Sequence, residues 1–142
     1  MKILAQLALA ACLATGCSGA AQSNKETLAD SIRSYNEGIR WGRFDKAASL
    51  RPAKERSQFA DDMDKRANDV KITDYEIVKV DQKEERLATV QVKMSWYSDT
   101  EGTLHETHAM QTWERHGKDW LMVEESRFRG AEMPGLPEKL KD

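Results

Sequence analysis

The side chains with the widest chemical reach lie in Leu104-His105-Glu106-Thr107-His108, where two imidazoles flank a carboxylate. Histidine and glutamate are good zinc ligands, but the zinc-hydrolase pattern needs two histidines four apart on one helical face. Here they stand three apart on an alternating, strand-like segment, so they project to opposite faces. The sequence therefore assigns no metal and no cofactor, and reads the pair as one surface and one sheet-face histidine. His116 falls in a turn, where solvation accounts for it. Glu114, Glu124 and Glu125 lie on the two terminal strands, where a solvated rim is the expectation.

A second constellation is aromatic. Tyr35 belongs to a helical stripe, and Trp96 and Trp113 to neighbouring strands. Flat side chains with polar tips suit a pocket for a small apolar or ring-bearing ligand. They suit plain core packing equally well. General acid–base chemistry in such a pocket requires a base of matched pKa. The inward positions of the most regular strand, Ala88, Val90, Val92, Met94 and Trp96, supply none. The reading is thus a non-catalytic binding or interaction module, with a small-pocket enzyme as the alternative. The opposite face of that strand, with Thr89, Gln91, Lys93, Ser95 and Tyr97, is a candidate docking surface for a partner protein or a second copy, and simple solvation also explains it.

The elements that must position these residues follow from two apolar rhythms. Ser23-Asn24-Lys25-Glu26 fits a capping box, and Leu28, Ile32, Tyr35 and Ile39 then recur at helical spacing. Gly42 suits the end of that helix. A short second helix over Arg43–Leu50 and a third opening at Pro52, with Phe59, Met63 and Ala67 in one stripe, complete the helical part. From Lys71 the period changes to two. Strands are predicted over Ile72–Val80, Leu87–Tyr97, Leu104–Glu114 and on to Phe128, with turns at 81–85, 99–102 and 115–119. In the first strand, strict alternation sets Ile72, Val78 and Val80 against Tyr75 and Ile77. Three helices before four consecutive antiparallel strands predict an α+β domain, its N-terminal helices packed on a curved four-stranded sheet. Residues 130–142, rich in Gly, Pro and charge, are expected to fray as a flexible tail.

The chain carries 22 Lys and Arg against 24 Asp and Glu, a net charge of −2, mixed along its length. No basic stripe is visible in the sequence, which argues against nucleic acid or an anionic lipid surface as an electrostatic partner. Residues 1–16 read as an export leader: Lys2, an apolar run over 3–15, then Ala14-Thr15-Gly16 before Cys17. As a helix that run reaches only ~20 Å, short of the ~30 Å hydrocarbon core. Small residues before Cys17 resemble the bacterial lipobox. The resemblance implies diacylglycerol transfer to the Cys17 thiol, cleavage after Gly16 and acylation of the new amine; cleavage of an ordinary secretory leader nearby is the alternative. Ser18 resembles an outer-membrane address, on the periplasmic face of the envelope. Residues 17–22 would be a short tether, and 23–129 the single folded domain. With Cys12 in the leader and Cys17 acylated, no cysteine is left for a disulfide.

Trp41-Gly42-Arg43-Phe44-Asp45-Lys46-Ala47-Ala48 resembles the helix, glycine, aromatic and Ala-rich second helix of the nuclear transport factor two superfamily, the cystatin-like group that includes SnoaL-like proteins. Trp113, Gly117, Asp119-Trp120 and Leu121-Met122-Val123 resemble its final hairpin. The resemblance implies a cone-shaped roll with a pocket between the first helix and the sheet, and homodimers through the open sheet face. For an enzyme of the SnoaL-like type, lyase or isomerase, it carries over only Tyr35.

Overall fold

The computed structural model describes residues 27–139. The leader over 1–16, Cys17, the tether and the expected cap at Ser23 lie outside the described residues. α1 spans Leu28–Arg40, and its N-cap is Thr27: the hydroxyl accepts from the Asp30 amide at 3.1 Å and donates to the Asp30 carboxylate at 2.6 Å. α2 (Phe44–Ala48) and α3 (Arg56–Arg66) follow, the latter preceded by a 3-10 turn over Ala53–Glu55. Gly38 permits α2 to approach α1, since a Cβ there would stand 3.1 Å from the Ala47 methyl and from the Arg43 carbonyl oxygen. Among the described residues no helix is long and apolar enough to cross a membrane.

Four strands, β1 (Val70–Glu84), β2 (Leu87–Ser98), β3 (Leu104–His116) and β4 (Asp119–Gly130), form one antiparallel sheet in sequence order. The protein is therefore α+β, with helices packed against a four-stranded antiparallel sheet. β2 and β3 pair without a register shift, whereas β1 is shifted three times against β2 and β4 twice against β3. Each shift inserts one residue and flips the facing of everything beyond it. That corrects the reading of β1. Strict alternation splits its apolar residues between two faces, yet Ile72, Tyr75, Ile77 and Val80 pair with the inward residues Trp96, Met94, Val92 and Val90, so all four share the inner face.

The core lies between that face and the helices. Ile32, Tyr35 and Ile39 of α1 and Met63 of α3 meet Ala88, Val90, Val92, Met94 and Trp96 of β2, with Trp113 and Met122 beyond them. α1 is latched to β1 as well. Tyr75 donates to Glu37 at 2.8 Å, and Arg40 donates to the Ile72 carbonyl at 2.8 Å. Burial first, and then the Glu37 carboxylate, push the Tyr75 phenol up to about 12.

The segment after Arg129 departs from expectation. Met133 and Leu136 enter the core at 4% and 8% exposure, and the main chain docks along β4. The Arg127 amide donates to Pro137 O at 2.7 Å, Lys139 N returns to Arg127 O at 3.0 Å, and the Arg127 guanidinium holds Glu138 at 2.7 Å. The domain thus runs past Arg129 to the last described residue. The edge of β4 is covered rather than left open. Gly130 makes the bend, at φ +84°, where a Cβ would meet the Glu106 carbonyl oxygen at 2.5 Å.

A chain ending at Arg129 loses two core side chains and the cover of the β4 edge. We expect it to be destabilised by about 3 kcal/mol or more, since burial of one large apolar side chain alone contributes ~1.5–3 kcal/mol. Urea denaturation of the two forms measures this, and coincident midpoints would mean that the segment does not contribute to stability.

Candidate functional site

Gln111 of β3 is wholly buried, and all four of its side-chain hydrogen-bonding positions are filled. Its Nε2 donates to Asn36 Oδ1 at 3.0 Å and to Glu125 Oε2 at 2.6 Å. Its Oε1 accepts from Trp113 Nε1 at 3.1 Å and from Asn36 Nδ2 at 3.4 Å. Asn36 Nδ2 also donates to the Ile32 carbonyl at 2.8 Å. One amide therefore ties α1, β3 and β4 together in the interior, where an unmet polar group costs ~1–3 kcal/mol.

Glu125 reaches this network because of a β4 bulge. Trp113 pairs with Met122 but Thr112 pairs with Glu124, so Val123 is the inserted residue. Without it, the facing set by Trp120 and Met122 would carry Glu124 inward. With it, Glu125 pairs with Gln111 and turns in, while Glu124 stays exposed. The solvated rim expected for Glu125 is thereby corrected, whereas Glu114, paired with Leu121 beside the turn, remains on the rim side of the sheet.

Beside the network a cleft of about 210 Å³ opens between α1, α3 and β4, its far wall made by Gly135, Leu136 and Pro137. Tyr35, Phe59, Met63 and Met122 give it apolar surface; Arg51, Asp62, Arg66 and Glu125 give it charge. Arg51 donates to Glu55 at 2.9 Å and to the Met122 thioether at 3.2 Å, while its buried Nε has no partner among the described residues. Burial raises the pKa of the Glu125 carboxyl above its ordinary value, against the hydrogen bond from Gln111 and the charges of Arg66 and Arg51. Burial, and after it the charge of Glu125, hold the Tyr35 phenol well above its ordinary value. The cleft thus brings a protonatable carboxyl and a neutral phenol together among two guanidinium groups. Such a set can bind and orient a small amphipathic molecule, and can hold or release a proton.

The aromatic residues singled out in the sequence separate into two places. Tyr35 and Trp113 meet edge to face, with ring centroids 5.8 Å apart, and Phe59 lies 6.0 Å from Tyr35. Tyr35 lines the cleft, whereas Trp113, at 0% exposure, is core behind it. Trp96 sits toward the other end of the sheet, donating to the Thr107 hydroxyl at 2.9 Å with its ring 4.6 Å from that of His105. It does not line this cleft. Thr89, Gln91 and Lys93 stand half-buried in a file on the outer sheet face, with Lys93 held at 2.7 Å by Glu76. Tyr97, at the end of that file, borders a different groove. His105, His108 and His116 each sit near one carboxylate, Glu101, Glu106 and Glu114 respectively, and no group of three or more potential metal ligands forms among the described residues.

No protein-family model matches the chain, and no match was found among curated proteins. Among solved structures, the fold is similar to the solution structure of a SEC-C motif containing protein from Rhodopseudomonas palustris, at TM-score 0.60 and 13% identity over 70% of this chain and 77% of that one. At that identity the likeness concerns the fold.

Protonation of Glu125 gives the cleft a pH signature. An acid whose pKa is higher folded than unfolded binds more protons when folded, so its contribution declines as pH rises through the folded value. Glu125→Gln removes that titration and keeps an acceptor for Gln111. As pH rises from the ordinary glutamate value of about 4 through the raised folded value, the wild-type denaturation midpoint should fall relative to that of the variant; parallel midpoints throughout would refute the assignment.

Proposed function

We propose that the chain is a membrane-anchored, periplasm-facing lipoprotein whose domain is a non-catalytic binding module, with the Tyr35 cleft as its ligand site. The single observation behind the ligand site is the cleft itself, a walled space in which apolar side chains and four charged groups face one another. Its modest volume, below the ~300–1,000 Å³ usual for drug-sized ligands, favours a small molecule with an apolar body and one polar group. Anchoring rests on the sequence before Cys17 and, by resemblance, on an outer-membrane address at Ser18. Two or three acyl chains would make that attachment stable.

The same reading takes the α+β domain as the cone-shaped roll of the nuclear transport factor two superfamily. Helix order, the Trp41-Gly42 junction and bulged outer strands that let the sheet curl all support it. The outer face with Thr89, Gln91, Lys93 and Tyr97 is then the surface for an envelope partner or a second copy. A small-pocket lyase or isomerase is the alternative, and one observation favours it: Glu125, a carboxyl with a raised pKa, shares the cleft with Tyr35.

Tyr35→Phe separates the two readings. A binder should lose at most about tenfold in affinity for fragments that shift the Trp113 and Gln111 side-chain N–H signals, the value of one hydrogen bond. An enzyme using the phenol should instead lose on the order of a hundredfold or more in turnover, and that result would displace the binding reading.

Anchoring is tested on its own. Cells fed a radiolabelled fatty acid should label the wild-type chain and leave Cys17→Ser unlabelled and released from the membrane fraction. Label retained by the variant would remove the anchor from the reading.

A further inference from the structure

A second concavity, of about 430 Å³, lies where the C-terminal end of α1, the start of α2, the end of α3 and the first residues of β1 converge. Ile39, Phe44, Val70 and Ile72 give it an apolar lining. Arg40, Arg66 and Lys71 bring three cations to it, and no aspartate or glutamate lines it. In a chain with net charge −2 this local excess runs against the average.

Two of these cations, Arg40 and Lys71, are also poorly compensated. Half-buried Arg51, Lys93 and Arg127 each hold a carboxylate at 2.7 to 2.9 Å, and Arg66, which donates to the Met133 thioether at 3.7 Å, has the charge of Glu125 in the neighbouring cleft. Arg40 has the Ile72 carbonyl at 2.8 Å and lies 4.3 Å over the exposed Trp41 ring. Lys71 donates to the Ala67 carbonyl, and its nearest carboxylate, Asp99, stands off at 3.7 Å. Partly desolvated positive charge without a close counter-charge is unfavourable, and an incoming anion relieves it. An apolar lining beside two such cations matches a ligand with one anionic end and one hydrocarbon end.

We propose that this groove binds a small amphipathic anion, a carboxylate or phosphate ester on an apolar body. The site is separate from the Tyr35 cleft, although Arg66 borders both. Its ligand arrives either as a free amphiphile or as the headgroup region of an anionic lipid. The recognising chemistry is the same in both cases.

The test uses the full chain carrying Cys17→Ser, titrated calorimetrically at low salt with decanoate, decyl phosphate and the neutral decanol, each below its aggregation limit. A parallel arm measures co-sedimentation with phosphatidylcholine vesicles, with and without phosphatidylglycerol. We expect saturable binding of the two anions, at least tenfold weaker binding of decanol, and at least a tenfold loss in Arg40→Gln and in Lys71→Gln. Lys118→Gln, in the exposed β3–β4 turn away from both clefts, should leave the titration unchanged. Binding only to phosphatidylglycerol vesicles, lost in the same two variants, supports the site and identifies the lipid as the source. The proposal is overturned if neither anion nor anionic vesicle binds, if decanol binds as well as decanoate, or if both variants bind as the parent does. The decanol comparison needs no substitution, so it tests the proposal even where a variant is destabilised.

Discussion

A buried amide with every hydrogen-bonding position filled is the constraint on which the interior depends. Gln111 can meet Asn36, Trp113 and Glu125 together only if α1 lies at one rotation over the sheet and β4 carries its extra residue at Val123. A slip of one residue on β4 would put Glu124 in the place of Glu125 and leave the network short of its carboxylate. A slip of the whole strand would also turn the buried Trp120 and Met122 outward. The polar network and the apolar face therefore specify the same register, and the network does so at the floor of the cleft.

That location decides what the cleft can be. The Glu125 carboxyl accepts a strong hydrogen bond from Gln111 and feels two nearby guanidinium groups, while burial raises its pKa. The neutral phenol of Tyr35 is a donor beside it. Binding needs no more than this. Catalysis needs in addition that a reacting atom sit within hydrogen-bonding reach of both groups, and the small volume leaves room for few poses. The arrangement thus fits recognition of a small polar head directly, and chemistry only under a tighter geometric condition.

How much of this was legible in the sequence depended on whether period-two alternation held. β2 is the clear case: its inward and outward residues were read correctly, because it pairs with β3 without a shift and burial alternates along its whole length. β1 and β4 defeated the same reasoning. Their bulges leave no unambiguous mark in composition, so strict alternation splits Tyr75 and Ile77 from Ile72 and Val80, with which they share a face, and puts Glu125 on the rim. The helical stripe of Leu28, Ile32, Tyr35 and Ile39 placed Tyr35 inward correctly, but the cap proved to be Thr27, a Ser/Thr-type signal closer to the stripe than Ser23. Gln111 was overlooked because a lone glutamine among Met110, Thr112 and Trp113 reads as an outward polar residue. Its parity with the inward Trp113 was the signal that could have found it. The cationic groove was hidden for a different reason: Arg40, Arg66 and Lys71 are contributed by three elements and form no run in the chain.

The C-terminal segment shows most directly how composition misleads. Its Gly, Pro and charged residues suggest a solvated tail, but in ten residues after Arg129 the chain contributes Met133 and Leu136 to the core and a parallel bridge from Glu138 to Arg127. Prolines and glycines there do not loosen the chain; they let it turn back along an edge strand that would otherwise expose its amides. Gly135, Leu136 and Pro137 also form a wall of the Tyr35 cleft. The segment that sequence reasoning placed outside the domain is therefore part of the proposed binding site. The cleft exists as a walled space only while the Arg127–Glu138 pair and two buried side chains keep that wall in place, so stability of this edge and occupancy of the cleft are physically linked through the same ten residues.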